Sequence, residues 1–202
     1  VDTGANLGAT VHYRQGDSDE DRTAYGEVVL AAIGRVPNTD ADWFRSSGLK
    51  LDERGYVTVD GYGRTNLDGV WALGDITPGH ALAHRAFEQG ITIAEKIAGA
   101  DPKPVIDDTV PQVVFSFPEA ASVGLTLDQA KAREDVVEPK ETAYPMLSNA
   151  RMLMSGEGGS MTVVSGAFAN NPDMQVVLGV HIVSPIASDL IAEAEQLVGN
   201  RV

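Results

Sequence analysis

Three short stretches carry residues whose types and spacing could do chemistry. In the first, the apolar run Val70-Trp71-Ala72-Leu73 stops at Gly74-Asp75. A strand that ends in glycine lets a ligand approach the backbone, and a carboxylate just beyond it offers acceptor oxygens to the hydroxyls of a ribose or polyol. The plainer alternative is an Asp that caps a helix or closes a turn, since Gly-Asp is a common turn dipeptide. In the second, a helical pattern opens near Ala81-Leu82-Ala83, and the amide end of a helix favours anionic ligand atoms. Small Ala81 and Ala83 would admit a flat ring, or serve only close packing; His84 stands beside them. In the third, Gly34-Arg35 leaves another apolar run. That glycine allows backbone approach, and the arginine suits a phosphate or a tie between domains, although a strand-exit turn accounts for the pair equally well.

What the chain lacks narrows the choice. Its 202 residues include no Cys, so redox chemistry here must come from a bound cofactor or from residues elsewhere. His12, His80, His84 and His181 show no metal-ligand spacing, and no metal site is expected. His12 and His181 fall in strands, where a structural imidazole is the expectation. No Ser-His-Asp set, phosphate-binding loop or paired-acid motif is present, so no residue is assigned a catalytic role. Fifteen Lys+Arg against 29 Asp+Glu give a net charge of -14, which opposes binding to nucleic acid or anionic lipid. With 43% hydrophobic and 22% charged residues the chain is globular, and it lacks the apolar run of about 20 residues that a membrane span needs.

The elements that must position these residues follow from pattern. Residues 9–14 favour strand, the acidic stretch 16–21 reads as an exposed turn, and the continuously apolar run 28–33 suits a strand buried on both faces. A brief helix holds Trp43-Phe44, and glycines punctuate short strands such as residues 56–59. The helix after Pro78-Gly79 has Leu82, Ala86, Gly90, Ile93 and Ile97 on its apolar face, with Gly99 as its stop. Asp101-Pro102-Lys103-Pro104 breaks helix and marks a domain boundary. Beyond it come strands at 113–115 and 122–123 and a capping box in which Thr126 pairs with Gln129. A long hairpin then joins residues 161–164 to 175–183. The last helix carries Ala187, Leu190, Ile191, Ala194, Leu197 and Val198 as one stripe, with Asp189, Glu193 and Glu195 facing out. The chain opens on Val1-Asp2-Thr3-Gly4 without Met and closes on Gly199-Asn200-Arg201-Val202, which reads as an internal fragment.

Taken together, Ala32-Ile33-Gly34-Arg35-Val36-Pro37-Asn38 and Ala72-Leu73-Gly74-Asp75 resemble the flavin-dependent pyridine nucleotide-disulfide oxidoreductases. The string Leu82-Ala83-His84-Arg85-Ala86 is similar to the Leu-Ala-His-Lys-Ala of the dihydrolipoyl dehydrogenases among them, with Arg85 a mild departure. Phe117-Pro118-Glu119-Ala120-Ala121-Ser122-Val123-Gly124 and the stretch from Gly179 to Ala194 resemble that family's dimerisation domain. The resemblance implies an α/β and α+β chain: residues 1–40 as the tail of a Rossmann-like NAD domain, 41–107 as part of the FAD domain, and 108–202 as an antiparallel-sheet dimerisation domain. It implies FAD and NAD as cofactors, with Gly74 and Asp75 on the ribityl chain and Leu82, Ala83 and His84 against the isoalloxazine. Ala32, Ile33, Gly34 and Arg35 would line the NAD site. It further implies a cytoplasmic homodimer that serves the lipoyl domains of 2-oxo acid dehydrogenase complexes. The family's Gly-x-Gly-x-x-Gly, its Cys-x4-Cys pair and its terminal His-x-His-Pro are absent from this sequence. Another family member, such as a transhydrogenase, quinone reductase or mercuric reductase, and a non-catalytic dimerisation module are the alternatives.

Overall fold

The computed structural model describes Asp2–Thr3 and residues 8–202; Val1 and residues 4–7 lie outside it. The chain falls into two compact units, residues 1–36 and 37–202.

In the first unit β1 (Asp2–Thr3), β2 (Ala9–Tyr13) and β3 (Arg22–Gly26) form an antiparallel sheet in that order. The β2–β3 register runs from Ala9 opposite Gly26 to Tyr13 opposite Arg22. The acidic turn expected at 16–21 closes this hairpin, and Arg14 Nε donates to Asp21 across its neck at 2.7 Å. The strand expected at 28–33 does not form. Two bends follow Gly26, residues 29–37 take no regular structure, and Ile33 is 98% exposed. An apolar run becomes a doubly buried strand only where neighbours lie on both its edges and both its faces, and β1–β3 supply none to it.

The second unit begins with linked turns around a small core of Phe44, Val57 and Ala72. Phe44 sits on α1 (Asp42–Ser46), the brief helix expected there. The strands expected at 56–59 and 70–73 reduce to single bridges, Leu51 with Val57 and Arg64 with Trp71. Two similar turns replace them. Asp52 Oδ1 accepts from the amides of Arg54 and Tyr56, and Asp60 Oδ1 accepts from those of Tyr62 and Arg64, each at 2.9 Å. An Asp that takes two amides of its own turn competes with ladder formation. Of residues 70–73 only Ala72 is buried; Val70 and Leu73 are each more than a third exposed.

Helix α2 (Ala83–Ile97) ends as expected at Gly99, whose φ of +85° lets the chain reverse while the amides of Gly99 and Ala100 reach back to the carbonyls of Lys96 and Glu95. Its buried face differs from the apolar stripe. Arg85, Thr92 and Ile93 are the buried residues, whereas Ile97 is exposed.

The remainder is a five-stranded antiparallel sheet in the order β4 (Gln112–Val114), β5 (Glu119–Gly124), β8 (Asn171–Ser184), β7 (Ser160–Phe168), β6 (Val136–Pro145). Two short helices, α3 (Leu127–Ala132) and α4 (Ala150–Ser155), interrupt it. The capping box forms with both bonds, Gln129 N to Thr126 Oγ1 at 3.3 Å and Thr126 N to Gln129 Oε1 at 2.8 Å. The expected hairpin is β7–β8. Strand β6 and helix α4 went unread: β6 is an edge strand that carries Pro139 and five charged or hydroxyl side chains, with a bulge between Val137 and Lys140. Ala121, Val123, Val180 and Ile182 meet Ala187, Ile191, Ala194 and Val198 of α5 (Ala187–Gly199) in the main core. That helix has the expected stripe, although Glu195 is half-buried rather than outward.

No side chain of its own turn caps α5. Glu119, on β5, accepts from Ser188 N at 2.8 Å, and this bond holds the Glu119 carboxyl below its ordinary pKa. A carboxylate whose folded pKa is depressed adds stability that is complete above the unfolded value and lost as the pH falls through the folded one. Glu119→Gln is therefore expected to lower the melting temperature at neutral pH and to lie close to wild type in acid, below both values. Melting curves recorded across the acidic range check this, and parallel curves at every pH would contradict it.

Candidate functional site

The second unit brings five of the candidate residues together. Gly74 and Asp75 start a 3-10 turn, Gly74–Ile76, and Leu82, Ala83 and His84 open α2 eight residues later. Gly74 has a φ of +73°, open to glycine at little cost, and a Cβ built there would lie 3.4 Å from Ala86. The turn thus rests directly on α2. Its amide end is tied down as well, since Gly74 N donates to Gln89 Oε1 at 2.8 Å, and Thr77 Oγ1 donates to Gly74 O at 2.8 Å. Asp75, the next residue of the turn, is exposed.

That helix start is unusual. Leu82 is the N-cap, and among the described residues it makes no side-chain cap bond and no acidic residue lies in the first turn. The amides of Ala83 and His84 therefore place the positive end of the dipole beside exposed residues. An exposed carboxylate for hydroxyls next to uncapped amides for an anionic edge is the donor and acceptor set that a flavin with its ribityl chain requires. The residues present fit such a group.

His84 serves a structural contact. Its Nε2 lies 2.7 Å from the carbonyl oxygen of Pro111, which can only accept, so Nε2 carries the proton. Nitrogen-15 NMR of the neutral ring is expected to show the Nε2–H tautomer, and an Nδ1–H signature would remove this bond.

Two residues of the site escaped the sequence reading. Arg85 is 6% exposed; its Nε donates to Asp107 Oδ1 at 2.6 Å and its Nη2 to Pro78 O at 2.6 Å. Gln89 follows four residues later. Their signal was an i, i+4 polar pair within an otherwise apolar helical stripe. Ala32, Ile33, Gly34 and Arg35 belong to the other unit, where they lie on the exposed stretch after β3, with Gly34 at a φ of +130°.

Comparison with known proteins gives this geometry a family. Residues 4–90 match pyridine nucleotide-disulphide oxidoreductase, and residues 110–202 match the dimerisation domain of the same proteins. The chain belongs to the pyridine nucleotide-disulphide oxidoreductases. Members of this family use FAD and NAD(H). The dihydrolipoyl dehydrogenase of Cupriavidus necator is 41% identical over 96% of this chain and 39% of its own length. That of Geobacillus stearothermophilus is 39% identical over 92% of the chain and 38% of its own length. Among solved structures, LpdA from Mycobacterium tuberculosis superposes with a TM-score of 0.80 at 32% identity, over 95% of this chain and 41% of that one. The flavoprotein disulfide reductase RclA from Escherichia coli, at 23% identity and a TM-score of 0.74 over 89% of this chain and 40% of its own, shares the fold. The present chain spans about two fifths of the length of these relatives. Its mixed helix and sheet architecture, with the antiparallel sheet in the dimerisation domain, is that of the family. Among the described residues no helix is long and apolar enough to cross a membrane.

Proposed function

We propose that this chain works as part of a longer cytoplasmic dihydrolipoyl dehydrogenase, which oxidises dihydrolipoamide on the lipoyl domains of 2-oxo acid dehydrogenase complexes with NAD as acceptor. Residues 1–40 would contribute to the NAD domain, 41–107 to the FAD domain and 108–202 to a homodimer interface. The observation that carries the reading is the exposed Asp75 carboxylate held beside the uncapped start of α2. The relatives support it, sharing 39–41% identity along more than nine tenths of the chain.

In this reading Asp75 accepts hydroxyls of the ribityl chain, and the amides of Ala83 and His84 face the electron-rich edge of the isoalloxazine. Bound FAD would take electrons from a dithiol and pass them on as hydride to NAD. Because this sequence has no Cys, the redox disulfide has to come from residues beyond it. Gly34 and Arg35 would approach the dinucleotide, with Ala32 and Ile33 as the apolar lining.

The full-length protein tests this. Purified, it is expected to be yellow with one FAD per subunit and to reduce NAD with dihydrolipoamide. Asp75→Ala is expected to weaken FAD retention by about 10- to 100-fold, the cost of roughly 1.4 to 2.8 kcal/mol for a charged acceptor lost from bound hydroxyls. A colourless protein, or unchanged retention in Asp75→Ala, would overturn the assignment.

A further inference from the structure

Arg85 occupies a place that elementary electrostatics disfavours three times over. It is a cation in the first turn of α2, where the helix dipole is positive. Its side chain is 6% exposed, and a buried charge is costly unless paired. One of its guanidinium nitrogens, Nη1, is buried without a hydrogen-bond partner. The arrangement also demands a glycine nearby: Gly79 has a φ of +116°, and a Cβ there would run into Arg85 Nη2 and Asp107 Oδ2. Local violations of this kind mark positions whose geometry serves something other than stability.

The hydrogen bonds show what the geometry achieves. The segment that carries Asp75 is fastened to α2 at both of its ends. At its start Gly74 N donates to Gln89 Oε1, and near its close Pro78 O accepts from Arg85 Nη2. Arg85 and Gln89 are four residues apart and so share one face of the helix. These two bonds hold the turn that carries Asp75 against the helix whose first turn contains Ala83 and His84. The remaining arm of Arg85 reaches Asp107, in the turn Asp107–Thr109 that leads into β4, and the neighbouring Asp108 accepts from Arg133 Nη1 at 3.1 Å.

We propose that Arg85 is a positioning residue for the cofactor site: its guanidinium fork fixes the Asp75 turn on α2 and couples that spacing, through Asp107, to the five-stranded sheet. This rests on the reading of Asp75 and the α2 amides as one FAD site, and goes beyond it by naming what sets their separation.

The test uses the full-length holoprotein, its flavin removed and FAD titrated back, in wild type, Arg85→Gln, Asp107→Asn and the double variant. Visible absorbance and flavin fluorescence are recorded together with the melting temperature. Arg85→Gln removes the fork and the ion pair and is expected to raise the FAD Kd about tenfold, as loss of a supporting contact does, and to shift the flavin absorbance band. Asp107→Asn is expected to move the same quantities less, with the double variant no worse than Arg85→Gln because the two residues act through one contact. If Arg85→Gln does not fold, Asp107→Asn carries the test by itself. Wild-type affinity and spectrum in the variants, or losses that merely track the melting temperature, overturn the proposal while leaving the FAD site intact. A wild-type protein that takes up no FAD overturns the underlying reading and this one with it.

Discussion

The contact on which the site depends is a backbone one: Gly74 lying against the side of α2. Its positive φ turns the chain so that its amide points at Gln89, and a Cβ built on it would only touch the Ala86 methyl at 3.4 Å. A side chain there would strain the turn through its backbone conformation rather than by a clash, and Asp75 would move as that strain relaxed. Everything polar around the site is arranged about that approach. Thr77 closes the turn onto Gly74 O, Arg85 donates to the carbonyl of Pro78, and His84 reaches the other way to Pro111. Consecutive residues of one helix thus hold the turn before it and the strand after it.

The ion pair within this arrangement is of mixed character. Arg85 is almost fully buried, whereas the Asp107 side chain is 38% exposed. Breaking a fully buried pair costs about 3–5 kcal/mol, but water at Asp107 screens this one, and its stabilising effect falls well short of that range. Its directional content is larger than its energetic one. Two short bonds in a planar group define an orientation that a surface ion pair such as Arg14 with Asp21 does not.

Sequence was most legible where structure is local. The capping box at Thr126 and Gln129, the turn between β2 and β3, the Gly99 stop and the stripe of α5 each follow from residues a few positions apart. The run 28–33 misled because continuous apolarity reports a need for burial and says nothing of whether neighbours are at hand to meet it. Strand β6 was hidden by Pro139 and its charges, tolerated because only one of its edges is paired. In the site, Gly74-Asp75 and the start of α2 could be read directly, since glycine and a helix opening announce themselves. Gln89 and Arg85 could not, because their partners lie 7 to 22 positions away and a search for apolar periodicity passes over them.

The cap of α5 bears on how this part of the chain comes to be folded. Helix and acceptor are separated by 69 positions, with most of the sheet between them. Until β5 is in place the first turn of α5 has no side chain to receive its amides, and until α5 lies down the apolar faces of β5 and β8 stay wet. High sequence separation between mutually dependent parts slows assembly, so a damaged β5 is expected to loosen the distant helix as well.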